Sequence, residues 1–176
     1  MKNFIEKCNT DWHKRSLYLY AIIVLGHWLE HIFQVVQIHS FHMETHHANG
    51  FLGMYAPWLV KSEWLHTGYA WLMIIGLIIL RKGFMGLSKS WWILSLTIQA
   101  WHVVEHSLLS FQAITGISFF GYDSPTSVLQ LIIPRVELHL FYNSIVTVPM
   151  VIAMLTHMFP SKKVRANMKC TCAVKF

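Results

Sequence analysis

The chain has 176 residues, 55% of them hydrophobic and only 12% charged, with a formal net charge of +6. Soluble domains carry roughly 25% charged residues, so a soluble globular class is excluded and one membrane domain over 1–176 is expected. The basic excess lacks the base-stacking aromatics of a nucleic-acid face, so the first partner is the lipid bilayer and not nucleic acid.

A span needs about 20 mostly apolar residues in helix. Four stretches qualify, at about 17–41, 60–80, 91–113 and 128–157, followed by a tail over 160–176. The predicted fold is all-α, an integral membrane four-helix bundle. The first stretch follows Lys2, Lys7, Lys14 and Arg15, and its apolar run holds His27, Glu30, His31, Gln34 and Gln37. With these polar residues and no small-residue cleavage site after it, it reads as a retained helix and not a signal peptide. The connection that follows carries His39, His42, Glu44, His46 and His47. This spacing suits a second, solvent-accessible metal site, an entry funnel, or a solvated loop that caps the bundle mouth.

The second stretch opens with Glu63 and His66, followed by Tyr69 and Trp71, and ends at Arg81 and Lys82 with Lys89 close behind. The third holds Trp101, His102, Glu105, His106 and Gln112. The fourth holds Glu137, His139 and Tyr142, and precedes Lys162, Lys163, Arg165, Lys169 and Lys175. Cytoplasmic segments retain Lys and Arg, so both termini are expected in the cytoplasm and the protein in the cytoplasmic membrane. Trp12, Trp58, Trp91 and Trp92 fall near the expected helix ends, where indole rings favour the interface. Cys8, Cys170 and Cys172 lie on the reducing side, which argues against a disulfide framework. The CTC tail is expected to be unstructured, with metal delivery or acylation as conceivable roles.

The pattern HxxEHxxxxxQ occurs twice, at His27–Glu30–His31–Gln37 and at His102–Glu105–His106–Gln112, 75 positions apart. WLHTGY at 64–69 aligns with ELHLFY at 137–142, which places His66 on His139 and Tyr69 on Tyr142. The two halves read as αα-hairpins related by a parallel internal repeat, with an axis along the membrane normal. Positions i, i+3 and i+4 share one helix face, so each HxxEH forms an inward polar stripe.

Ionisable groups at the bilayer centre cost about 2.5–3.5 kcal/mol each on insertion scales, so these stripes are functional candidates. For the four glutamates the cost sums to roughly 10 kcal/mol or more, comparable with the roughly 10–16 kcal/mol of a tight structural metal site. A metal-free network of imidazolium and carboxylate is the alternative, and a metal is the simpler compensation. The candidate metal ligands are His27, Glu30, His31, Glu63, His66, His102, Glu105, His106, Glu137 and His139. Glu and His on four facing helices are the ligands of di-iron and di-manganese bundles. Glu63 and His66 form a true ExxH pair, while the other two motifs carry the spacing in reverse order. No thiolate lies in a span, so two irons are the expected metals, with zinc, copper or manganese also compatible. Glu137 and His139 are about 200° apart on an ideal helix and cannot both face inward, unless Pro134 distorts the turn. Otherwise Glu137 pairs with Arg135 or Lys61, and the fourth helix supplies only His139. Gln37 and Gln112 suit hydrogen-bonding partners of the ligands. Tyr69, Tyr142, Trp71 and Trp101 suit redox-active or substrate-lining roles, or simple packing.

With HWLEH, WLVKSEWLH, WHVVEH and PRVELHLFYN together, the chain resembles a family of four-span membrane proteins with paired HxxEH motifs, over most of residues 20–155. The resemblance implies the span count and brings no established activity with it. The expected function is a membrane-embedded dinuclear iron oxidoreductase of the oxygenase type, acting on a small or lipid-soluble substrate. It would draw electrons from a donor or a larger membrane complex, and self-association is compatible with it. The alternatives are a haem-binding electron carrier or accessory subunit, with an axial pair such as His27 and His102, and a metal or proton translocator. None of the standard nucleophile or phosphate-binding motifs is present.

Overall fold

The structure, a computed structural model, describes residues 2–174. Lys175, one of the basic residues of the tail, lies outside them. Helix α1 (Lys2–Asn9) is followed directly by α2 (His13–His39), the short turns α3 (Leu52–Tyr55) and α4 (Pro57–Val60), and then α5 (Glu63–Leu80). Helices α6 (Leu87–Thr115), α7 (Arg135–Met158) and the short α8 (Lys162–Asn167) complete the chain, and no strand occurs among the described residues.

The long helices differ from the expected boundaries for local reasons. Helix α5 begins at Glu63 and not near 60, because the Ser62 hydroxyl accepts a hydrogen bond from the Trp64 amide (3.2 Å) and caps it. Helix α7 begins at Arg135 and not at 128. Pro134 disfavours helical backbone at the residue before it, and residues 129–131 form only a 3-10 turn. Helix α6 runs on to Thr115 and stops at Gly116, whose φ of 68° ends it in the left-handed region.

Helices α2, α5, α6 and α7 close into a ring in which α5 and α7 each contact both α2 and α6. Three helical segments, His13–His39, Glu63–Gly83 and Arg135–Met158, are long and apolar enough to cross a membrane. The outward surface of the ring is apolar, with Leu19, Ile22, Phe33, Leu72, Ile75, Val104, Phe141 and Val148 exposed. The interior has two storeys. Toward the termini it is a packed apolar core of Val24, Met73, Leu77, Trp92, Val146, Met150 and Ala153, each no more than 1% exposed. Toward the opposite end it is polar and contains His31, Gln34, His102, Glu105, His106, His139 and Asn143.

Two sequence expectations are corrected here. Trp92 is not interfacial: it is fully buried, stacked on Phe84 at 4.2 Å, and donates its indole N–H to the Leu77 carbonyl (2.8 Å). Trp12 and Trp58 are exposed, as expected of end residues. The tail is not loose either. After α8 it returns to the bundle, where the Val174 amide donates to the Met158 carbonyl (2.9 Å) and Cys172 is buried.

Candidate metal centre

The polar storey is built around six histidines from all four ring helices. His139 on α7 lies at the centre, with ring centroids 5.5 Å from His31, 5.4 Å from His66, 5.0 Å from His106 and 6.3 Å from His102. His27 sits at the edge, 4.6 Å from His31. Rings that share one ion at about 2.0–2.1 Å per nitrogen would have centroids about 4.5–5.2 Å apart, so of the His139 pairs only that with His106 lies at that spacing and the others are wider.

The tautomers point the same way. His31 Nδ1 lies 2.8 Å from the Gln34 amide oxygen, His66 Nδ1 3.2 Å from the Ser62 carbonyl, and His139 Nδ1 2.6 Å from the Arg135 carbonyl. Carbonyl oxygens only accept, so each Nδ1 carries the proton and each Nε2 keeps its lone pair. The His139 Nε2 is buried without a hydrogen-bond partner among the described residues, as are Nδ1 of His102 and Nδ1 of His106. His31 Nε2 meets His27 Nε2 at 3.3 Å. Metal-ligating histidines are held in this way, with the second ring nitrogen donating to a carbonyl.

The carboxylates expected beside them each hold a partner elsewhere, while Glu105 Oε2 stays buried without one among the described residues. Glu30 Oε1 accepts from the Leu52 amide (2.8 Å) and Glu105 Oε1 from the Leu129 amide (3.3 Å), each holding the loop that follows its helix. Glu63 pairs with Arg135 at 2.6 Å across the ring, from α5 to α7. Glu137 turns outward to His39 at 3.3 Å, so α7 directs only His139 into the cluster, as the 200° argument requires. Of the ten expected ligands, the structure brings the six histidines together, places Glu30, Glu105 and Glu63 around them, and turns Glu137 away.

The glutamines of the repeated motif are loop clamps. Gln37 accepts from the Gly50 amide (2.8 Å) and faces the Gly50 carbonyl (3.4 Å), while Gln112 donates to the Thr126 carbonyl (2.7 Å) and faces its amide (3.4 Å). Gly50 is required, since its φ is +73° and a Cβ there would lie 2.3 Å from Glu30 Oε1. Tyr69 stacks on His27 at 4.3 Å, and Tyr142 packs against His102 at 4.5 Å with its ring tilted by 39°. Trp71 and Trp101 instead face outward, each about half exposed (49% and 47%).

Two cavities reach the cluster. One of about 350 Å³ opens at the loop end, with His31, His66 and His139 at its floor and His46, Lys61 and Arg135 at its rim. A smaller one of about 150 Å³ lies between α2 and α5, walled by His27, His31, Glu30, Leu52, Leu65 and Tyr69. Below the cluster, Gln99, Asn143 and Thr147 keep unpaired buried oxygens, and then the apolar core closes the interior.

Donor atoms of three or more residues lie within 4.8 Å of one another in two sets among the described residues. Glu44, His46 and His47 form an exposed set in the α2–α3 loop, while His39 is drawn away to Glu137. His13, His157, Cys170 and Cys172 form a largely buried one at the opposite end. The six-histidine cluster is not one of these sets, so ligation there needs its rings to turn slightly inward. The second set was missed in the sequence because its members are 159 residues apart. The only sequence signal was a His at each outer end of the first and last spans, plus CxC.

Comparison with protein-family models, curated proteins and solved structures gave no match.

Proposed function

We propose that the chain is a four-span membrane protein whose six histidines hold a transition metal for redox chemistry at the loop end of the bundle. One observation carries this reading: three rings from three helices tie Nδ1 to a carbonyl, which leaves each Nε2 unprotonated within one cluster, that of His139 buried without a partner among the described residues and that of His31 facing His27 Nε2. Helix α6 is counted as the fourth span because its polar side chains Ser95, Gln99, His102, Glu105, His106 and Gln112 are all buried, leaving Ile93, Leu94, Val104 and Phe111 outward. Its average hydropathy is lowered by residues that lipid never meets. The matched roles of Glu30 with Glu105, Gln37 with Gln112 and Tyr69 with Tyr142 support the internal repeat.

An all-imidazole set suits iron, copper or zinc, and the redox ions among these fit an oxidoreductase. Glu30 and Glu105 serve this site by fixing the loops over it, and the buried, unpaired Oε2 of Glu105 adds one carboxylate oxygen to the imidazole set without breaking the bond to Leu129. The rim cavity gives a small polar reactant a path to His31 and His139, and the α2–α5 cavity gives an apolar one a side path past Tyr69. Electrons would come from a membrane partner. Direct ring-to-ring packing favours an ion over a haem, which needs a slot between its axial histidines. The sealed apolar core speaks against a translocator.

The test is metal analysis with an optical spectrum on untagged protein in mild detergent, comparing wild type with a His31→Ala, His106→Ala variant. Iron or copper that disappears in the variant is the expected result. A Soret band would replace this reading with haem, and a stable metal-free wild type would replace it with a polar network.

A further inference from the structure

We propose a second metal site, a Cys2His2 zinc centre made by His13, His157, Cys170 and Cys172, that fastens the tail to the terminal end of the bundle. The four donor atoms lie within 4.8 Å of one another, with His157 Nε2 3.3 Å from Cys170 Sγ and His13 Nδ1 3.4 Å from Cys172 Sγ. A tetrahedral zinc with S and N ligands at about 2.3 and 2.0–2.1 Å sets its S and N atoms about 3.5 Å apart, so little movement is needed.

The histidines are prepared for it. His13 Nε2 lies 3.3 Å from the Leu80 carbonyl, which fixes its proton there and leaves the Nδ1 lone pair toward Cys172. Both rings are fully buried and pack against Phe84, at 5.2 Å for His13 and 4.8 Å for His157. The His13 ring lies against Gly83, where a Cβ would come within 2.3 Å of it. His157 Nδ1 has no partner among the described residues, so a strong interaction at Nε2 is what offsets burying this imidazole. Two thiolates neutralise a divalent ion, and four protein ligands close the shell, as in structural zinc sites. Cys170 lies only two residues from Cys172, and the tail that carries them is pinned by Val174 on the Met158 carbonyl and by Arg165 on the Val174 carbonyl (2.7 Å). The centre ties the start of α2 and the end of α7 to the tail, across the whole chain.

The experiment uses full-length untagged protein in mild detergent, loaded with Co²⁺ after chelation. A near-ultraviolet thiolate-to-cobalt band with strong tetrahedral d–d absorption is expected. The band should vanish in Cys170→Ser, Cys172→Ser together with about one zinc per chain, and should persist in His31→Ala, His106→Ala. Zinc should also slow alkylation of the wild-type thiols. Absence of the band in the wild type, or thiols that alkylate equally fast with zinc and with chelator, would overturn the proposal whatever the histidine cluster holds.

Discussion

The two halves of the bundle use the same residues and close them to different degrees. In the second half, His102, Glu105 and Gln112 are 3%, 3% and 2% exposed, and α6 packs along the length of α7. In the first, His27, Glu30 and Gln37 are only half buried, and the α2–α5 seam is open enough to hold a cavity. One copy of a duplicated motif therefore acts as foundation, and the other leaves the histidines reachable. Identical ligand chemistry does not imply identical function when packing differs.

The sharpest way to break this comparison is at its shared centre. His139→Ala removes the ring that touches both halves and should abolish iron or copper binding at the histidine cluster, whereas His27→Ala, at the open edge, should keep most of it. Metal content per chain reads both, and equal losses would mean the halves are equivalent. Next is Gln34→Ala, which frees the His31 ring. Loss of such an orienting partner typically costs about 10–100-fold in affinity, measurable by competition with a chelator.

The clamps test the packing side. Gln112→Ala leaves the Thr126 amide and carbonyl buried and unpaired, for an expected loss of about 1–3 kcal/mol. Gln37→Ala should cost less, because water reaches Gly50's partners more easily. Gly50→Ala forces an L residue into left-handed backbone, about 1–2 kcal/mol, and displaces the Glu30 carboxylate. Thermal unfolding in detergent compares all three, and a Gln37 loss as large as that of Gln112 would refute the asymmetry. The smallest effect belongs to the exposed His39–Glu137 pair, where His39→Ala should shift stability by no more than about 1 kcal/mol.

Much of the bundle was legible in the sequence because hydropathy and the HxxEH spacing are local signals. The inward stripe of His31 and His106 followed from helix geometry, which also says that Glu137 and His139 cannot share a face; it left open which one turns out, and the structure sends Glu137 outward to His39 and not to Arg135 or Lys61. What escaped depended on contacts between distant segments. Glu30 and Glu105 looked like ligands because an intramembrane carboxylate needs a partner, and the nearest proved to be the backbone of the next loop. Trp92 sits at a chain position typical of the interface, yet it is buried with Phe84, from the connection before α6, stacked on it. The CxC tail carried no periodicity, so only its return to His13 revealed its place.

The Arg135–Glu63 pair crosses the mouth between opposite helices of the ring, directly above His66 and His139. A cation leaving the histidines by that route must pass the guanidinium and the neighbouring Lys61, with the one nearby carboxylate already taken. That barrier lengthens the residence time of an ion in the proposed site. Such an ion should exchange slowly with the medium, and Arg135→Gln should quicken its release to a chelator. Slow exchange of this kind would suit a resident ion of the proposed centre and not cargo.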